Sequence, residues 1–282
     1  MPAGEQTYMT KEARFGFGEN WKAYAACIGE DRILSAERSL RALLGEGALA
    51  GKTFADVGCG SGLFSLAALR LGAARVTSFD YDADSVAASL AVKERFAPGD
   101  ARWTIQRGSV LDEAFVASLG TFDCVYSWGV LHHTGAMWRA VDLAARMTRP
   151  GGLFYIALYN DQGALSRFWL AVKRAYNALP APLRPVYVSV FFLRFWLVPL
   201  LKGLLRGRSV SPLRAYRSRR GMSAWYDVVD WVGGLPFEVA SPAAVEAFCR
   251  ERGFSLAASR LDSGHGCSEF VFRAGAGPQH GL

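Results

Sequence analysis

Residues 54–62 read Phe-Ala-Asp-Val-Gly-Cys-Gly-Ser-Gly, and the alternating glycines Gly58, Gly60 and Gly62 let the backbone turn tightly and approach a ligand before a helix begins. Eighteen residues after Gly62 the next apolar run ends in Asp80, where a carboxylate is placed to accept hydrogen bonds from two ribose hydroxyls. Together these features call for a nucleoside. The spacing is GxGxG, not the dinucleotide GxGxxG, and no Gly-Lys-Ser/Thr follows to form a phosphate loop. Asp56, two residues before the first glycine, suits a cationic ligand better than a pyrophosphate.

Further landmarks follow in order. Gly108-Ser109-Val110-Leu111-Asp112 stands after a third apolar run. The segment 122–133, Phe-Asp-Cys-Val-Tyr-Ser-Trp-Gly-Val-Leu-His-His, combines a fourth run with two of the four histidines, and Arg149-Pro150-Gly151-Gly152 turns into a fifth. With these residues the chain resembles the class I S-adenosylmethionine-dependent methyltransferases of the small-molecule type, over about residues 50–160 and again over 240–273. The resemblance implies S-adenosyl-L-methionine as cofactor, contacted by Asp56, Gly58, Gly60, Gly62, Asp80, Tyr81, Ser109, Val110 and Trp128. Asp112 has a second reading as the cap of the next helix.

Methyl transfer requires a nucleophile aligned with the methyl group and relieved of its proton. The resemblance puts His132 and His133 beside that methyl. Imidazole titrates in the range that lets it take a proton from a hydroxyl, phenol or thiol, so His133 is the expected base or substrate orienter and His132 the alternative. One of two adjacent histidines is equally suited to helix packing. Trp21, Tyr159, Asp230 and Glu238 are expected on the substrate side. Trp21 and Phe17 belong to an aromatic N-terminal stretch read either as a lid over the cofactor or as an anchor for the first helix. Asp230 and Glu238 lie in a stretch that also reads as helix packing with caps. No metal site is expected. Ser127-Trp128-Gly129-Val130 lacks the Asp/Asn-Pro-Pro-Tyr/Phe string of enzymes that methylate base amines in DNA, and no cysteine is placed as a cytosine-type nucleophile.

The elements that must position these residues alternate between short apolar runs and amphipathic stretches. Strands are expected at 53–57, 75–79, 102–106, 122–127 and 153–158, with helices at 63–71, 83–96, 113–119 and 136–147 between them. After Pro236, Ser241 caps a helix to about Arg252, and two last strands follow at 254–261 and 268–273. The expected fold is α/β: a doubly wound, Rossmann-like, seven-stranded, mostly parallel sheet with a helical cap insertion. The expected division is an N-terminal lid and helix (1–50), a cofactor-binding core (51–160), a basic apolar helical cap (161–238), the returning helix and strands (239–274) and a tail (275–282).

The 282 residues are 51% hydrophobic and 20% charged, which excludes a disordered or fibrous chain. The net charge of +7 is unevenly spread. Between Asp161 and Asp227 there are twelve Lys and Arg and no acid, leaving the rest of the chain at −5. Within that segment, helical stretches are expected at 165–179 and 185–205, broken by Pro180, Pro182, Pro185 and Pro199. The run 187–205 is nearly long enough to span a bilayer, but a central Arg such as Arg194 costs roughly 2.5–3.5 kcal/mol on insertion. It reads as an amphipathic helix with a wide apolar face. Three roles fit: a cap packed on its own core, an interfacial helix on anionic lipid serving a lipid-like or quinol acceptor, or a nucleic-acid surface. The aliphatic interleaving argues against the third. A homodimer is compatible with each. The five scattered cysteines and the polar N-terminus point to a reducing, cytoplasmic setting, with peripheral contact at the inner membrane face as the variant. Methyl transfer to oxygen or nitrogen of a small-molecule or lipid-like acceptor is the expected activity. A non-catalytic S-adenosylmethionine-binding accessory protein is the rival.

Overall fold

The computed structural model describes residues 21, 24–198, 201, 224–262 and 266–277, with the side chains of 197, 224, 226, 227 and 230 set aside. The expected lid residue Phe17 and the basic stretch 202–223 lie outside the described residues.

Seven strands form one sheet: β1 (Thr53–Val57), β2 (Arg75–Asp80), β3 (Trp103–Arg107), β4 (Phe122–Trp128), β5 (Thr148–Tyr159), β6 (Phe254–Arg260) and β7 (Cys267–Ala274). Their order is β3-β2-β1-β4-β5-β7-β6. The first five are parallel, and β7 pairs antiparallel with both β5 and β6. The helices of the sheet are α1 (Glu30–Leu44), α2 (Leu63–Arg70), α3 (Ala83–Phe96), α4 (Glu113–Leu119), α5 (Met137–Arg146) and, in chain order after three cap helices, α9 (Pro242–Glu251). The seven-stranded, mostly parallel architecture matches the expectation.

Alternation along the strands divides the core in two. Phe54, Cys124, Tyr126 and Tyr155 point to one face and pack with Ile33, Leu40, Leu66 and Val92 of α1, α2 and α3. Their neighbours Ala55, Val125, Phe154 and Ile156 point to the other and pack with Val116, Val141 and Val245 of α4, α5 and α9. A parallel sheet needs both faces covered, because its strands are apolar throughout. Strand β5 starts five residues earlier than its apolar run, since Thr148 already pairs with Phe122 before a bulge. The polar turn Arg149-Pro150-Gly151-Gly152 hid that extension.

Between β5 and α9 the chain leaves the sheet to form the cap: α6 (Ala164–Ala178), α7 (Arg184–Phe192) continuing into a wider π turn (Leu193–Leu197), and α8 (Ala224–Gly233). α6 ends where Leu179 becomes extended ahead of Pro180, as a residue before proline must. Trp169, Val172 and Tyr176 of α6 meet Val188 of α7 and Val228 and Val232 of α8 in a third, separate apolar core. The cap leaves and rejoins the sheet at one place. Asn160 bridges Ala240, Asp161 N donates to Ala240 O at 3.1 Å, and Ala240 N donates to Tyr159 O at 3.0 Å.

Candidate active site

In an open α/β sheet the ligand crevice lies beyond the carboxyl ends of the strands where the order reverses, here between β1 and β4. β1 runs into the glycine loop, and β4 into residues 129–133. Their proximity is direct: a Cβ on Gly58 would come within 2.4 Å of the Val130 side chain, and φ is +74°. At Gly60, φ is +53° and a Cβ would meet the indole of Trp21 at 3.0 Å. Trp21 therefore lies directly over the loop, while the lid residues before it fall outside the described ones.

Asp80 ends β2 under the same loop. Its Oδ2 accepts from Gly60 N at 3.0 Å and its Oδ1 from Asp82 N at 2.9 Å. Burial raises its pKa, opposed by these bonds. Each carboxylate oxygen has a second lone pair, so ribose hydroxyls can still be accommodated. Asp56 is fully buried, and burial pushes its pKa up to about 7, with the charge of Asp80 adding to the rise. The Asp80 carboxylate beside the positive-φ glycine turn makes a compact cradle that fits a nucleoside carrying positive charge. Beyond β3, Gly108 N donates to Asp80 O at 3.0 Å, Ser109 Oγ accepts from Leu111 N at 3.2 Å, Val110 is buried, and Asp112 caps α4 through Phe115 N at 3.1 Å. Tyr81 is 42% exposed beside Asp80.

Three expected contacts are redirected by the structure. Asp56 turns inward, where its Oδ2 accepts from Ser65 Oγ of α2 at 2.5 Å, because the side chain of a central strand points into a helix-covered face. Trp128 leans away to β7 and donates from Nε1 to Glu269 Oε1 at 3.1 Å. Glu238, expected on the substrate wall, caps α5 instead: its carboxylate accepts from Gly135 N at 3.0 Å and Met137 N at 3.1 Å, the amide donors that a helix start leaves open. Asp230 lies on α8, and its side chain is outside the described residues.

His132 and His133 occupy a short 3₁₀ turn after β4. They sit in the seam between sheet and cap. His133 donates from Nδ1 to the carbonyl of Pro236 at 2.6 Å; a carbonyl only accepts, so the proton is on Nδ1 and Nε2 carries the lone pair. Burial, then the charge of Lys173, hold its pKa down at about 4 against the effect of that bond, so the ring is neutral near pH 7. His132 is fully buried, its ring 4.0 Å from Tyr159 and 4.4 Å from His133, and neither of its nitrogens has a hydrogen-bond partner among the described residues. Tyr159 in turn reaches Trp231 at 5.5 Å and Phe237 at 5.4 Å. A narrow cleft beside these rings is lined by Asn160, Gln162, Ser166 and Trp169 as well.

Sequence reasoning did not single out Lys173 or Trp169 for this seam. Lys173 is fully buried, donates to the carbonyl of Trp231 and lies 4.7 Å from the Trp231 ring and 4.9 Å from that of Phe237. A signal existed. Trp169, Val172, Lys173 and Tyr176 follow i, i+3, i+4, i+7 spacing, so a lysine stands on the apolar stripe of α6.

Residues 55–156 match the profile of a methyltransferase domain. The fold resembles that of magnesium protoporphyrin IX methyltransferase from Synechocystis PCC 6803, solved with S-adenosylhomocysteine, at a TM-score of 0.54 and 15% identity over 91% of this chain and 93% of that one. Among curated proteins, the ubiquinone biosynthesis O-methyltransferase of Methylobacterium sp. (strain 4-46) is 39% identical over 134 residues, 47% of this chain and 50% of the relative. The ribosomal protein L11 methyltransferase of Xanthomonas campestris pv. campestris is 50% identical over 58 residues, 21% of this chain and 19% of that relative. The chain thus spans about half the length of the first of these relatives, and less of the second. The sheet and glycine loop are those of a class I methyltransferase domain. Its cofactor is S-adenosylmethionine, and the cradle of Gly58, Gly60, Gly62 and Asp80 fits it.

Proposed function

We propose that the protein is an S-adenosylmethionine-dependent methyltransferase acting on an oxygen of a small-molecule or lipid-like acceptor. The observation that carries this reading is His133, pinned by Pro236 so that its unprotonated nitrogen is Nε2, at the end of β4 where the sheet order reverses. When bound, S-adenosylmethionine supplies a methyl group on an electrophilic sulfonium. Gly58, Gly60 and Gly62 let the backbone approach it, Asp80 holds the ribose, and Asp56, its pKa raised to about 7 by burial, supplies part of a negative charge beneath the loop near neutral pH. Trp21 keeps water from the loop. His133 takes the acceptor's proton on Nε2, and Tyr159 walls the acceptor from the cap side. Oxygen is favoured over nitrogen by the names of several relatives. Their short coverage leaves the acceptor to be identified by experiment.

The direct test is conversion of labelled S-adenosylmethionine to S-adenosylhomocysteine with fractionated small-molecule and lipid extracts. His133→Ala should lower kcat about 10²–10⁴-fold, the usual contribution of a general base, while S-adenosylhomocysteine binding is retained. Turnover that never exceeds the acceptor-free rate would favour the accessory-protein reading.

A membrane-docking role for the cap is favoured by its outer surface. Val186, Val190 and Leu193, at i, i+4 and i+7 on α7 and the turn after it, are 64%, 61% and 53% exposed, and Leu183 is 51% exposed. Exposed Arg167, Arg174 and Arg194 lie on the same acid-free segment. No helix among the described residues is long and apolar enough to cross a membrane, so this surface would lie in the interface. Val190→Glu should abolish co-sedimentation with anionic vesicles. If wild type binds neither anionic nor neutral vesicles, the docking reading is lost.

A further inference from the structure

Beneath the glycine loop, four buried side chains from four elements form one hydrogen-bonded chain. Trp103 Nε1 at the start of β3 donates to Ser78 Oγ of β2 at 2.8 Å, Ser78 Oγ lies 2.7 Å from Ser65 Oγ of α2, and Ser65 Oγ donates to Asp56 Oδ2 of β1 at 2.5 Å. None of the four residues is more than 2% exposed. An indole N–H only donates and an ionised carboxylate only accepts, so with Asp56 charged both hydroxyls point toward it and every bond is made. A proton on Oδ2 reverses the bond between Ser65 and Ser78. The Ser78 hydroxyl then accepts from both neighbours, and its own proton has no acceptor among the described residues. The chain therefore favours the carboxylate. The surroundings favour the acid. The titratable groups that face Asp56 are Asp80 at the end of β2, Cys59 in the loop and Tyr126 of β4, and among the described residues no cation joins them. Burial raises the Asp56 pKa, Ser65 opposes the rise and the charge of Asp80 adds to it, leaving it at about 7. A buried carboxylate with donors but no counter-ion is poised, and one positive charge added nearby tips it to the anion.

We propose that Asp56 is a proton-linked selector of cofactor over product: it gives up its proton to solvent when S-adenosylmethionine binds and keeps it when S-adenosylhomocysteine binds. Ser65, backed by Ser78 and Trp103, is the positioning residue that holds the carboxylate ready to ionise. This rests on the methyltransferase reading and adds a regulation to its cofactor site. Asp56 acts without contact, through its charge beneath the loop. On binding, the Asp56 O–H breaks, the electron pair stays on the carboxylate and the proton goes to bulk water. After transfer a neutral thioether stands in place of the sulfonium, and Asp56 takes a proton back from water. The acceptor's proton is a separate one, carried by His133. The chain ends in a donor-only indole, so it orients Asp56 and conducts no proton. The attraction toward the cofactor thus lapses once the methyl group has left, which favours exchange of product for fresh cofactor.

The probes are S-adenosylmethionine and S-adenosylhomocysteine, titrated calorimetrically into the full chain at pH 7 in phosphate and in Tris, whose different ionisation enthalpies report the protons released. Both ligands carry an amino group that titrates, so Asp56→Asn supplies the baseline. Over that baseline wild type should release about half a proton with S-adenosylmethionine and none with S-adenosylhomocysteine, because a group with its pKa near 7 is half protonated there. Preference for S-adenosylmethionine, relative to Asp56→Asn, should grow about five- to tenfold from pH 6 to pH 8. Ser65→Ala should raise the pH of greatest release by about one unit while binding S-adenosylhomocysteine as wild type does. Infrared difference spectra of wild type labelled with carbon-13 aspartate need no variant: at pH 6 a protonated-carboxyl band should fade on adding S-adenosylmethionine and persist with S-adenosylhomocysteine. Equal proton release with the two ligands, which would point to Asp80 at the shared ribose, would overturn the proposal. So would release undiminished in Asp56→Asn, or an unchanged pH of release in Ser65→Ala. Failure of wild type to bind either ligand would defeat the methyltransferase reading itself, whereas binding of both with no difference in protons would leave that reading standing and defeat the selector.

Discussion

The substitution Asp56→Asn should make the folded protein more stable at neutral pH and a poorer cofactor binder. Asp56 is fully buried, and its pKa rises from an ordinary 3.8 to about 7, chiefly through burial. The native state therefore holds a proton that the unfolded chain has released, and stability falls as pH rises from about 4 through 7. At about 1.4 kcal/mol per tenfold change in proton affinity, the loss from this group approaches about 4 kcal/mol, an upper limit. The asparagine side chain cannot ionise, yet its carbonyl can still accept from Ser65. Urea denaturation at pH 5 and pH 8 should show wild type losing stability that the variant keeps, with the difference between them isolating Asp56 from Asp80. Calorimetry should show weaker binding of the cationic S-adenosylmethionine to the variant, with the neutral S-adenosylhomocysteine much less affected. A variant with the wild-type pH dependence would refute the reasoning, since it would mean that Asp56 is ionised at no special cost. A variant that binds both ligands as wild type does would refute the binding half.

Gly58→Ala should eliminate S-adenosylhomocysteine binding by calorimetry, since its Cβ would overlap Val130 and its φ of +74° is strained for alanine by about 1–3 kcal/mol. Glu238→Ala should destabilise the fold by about 0.5–2 kcal/mol in urea melts, and Glu238→Gln by less, because the amide still caps α5 without the charge. Trp21→Ala should weaken S-adenosylhomocysteine about tenfold, because the indole lies over Gly60, and should also lower the melting midpoint, because the ring packs against the sheet's core.

The parts of the molecule legible in the sequence are those where local chemistry and tertiary role agree. Thr53–Val57, Gly58, Gly60, Gly62 and Asp80 needed no partner to be read: strand, turn and strand-end acid lie within 28 residues. Ser241 and Asp112 cap their helices as their positions announce. Glu238 was not readable in this way, because it caps a helix that starts about a hundred residues earlier in the chain. Trp128 likewise finds Glu269 only once β7 has turned antiparallel beside β5. Lys173 was hidden by its own segment, for among twelve basic residues one on the inner stripe looks like the rest. The wide apolar face of the second cap helix resolves into two halves. Val188 is buried in the cap core with Phe191 and Phe195 packed against it, and Val186, Val190 and Leu193 look outward, a division that periodicity alone does not make.

Because Asn160 and Ala240 are paired where the chain leaves and rejoins the sheet, the cap helices between them, short of Pro236 and Glu238, which anchor His133 and α5, form an exchangeable module. Among the described residues these helices share an apolar core of their own. A lineage can therefore replace that module wholesale, or lengthen it, without altering the register of any strand or the loop that grips the nucleoside. Acceptor preference and cofactor use are then inherited separately, and a chimera carrying another protein's insert in place of the cap helices, with Pro236 and Glu238 retained, should keep cofactor binding while acquiring the other acceptor preference.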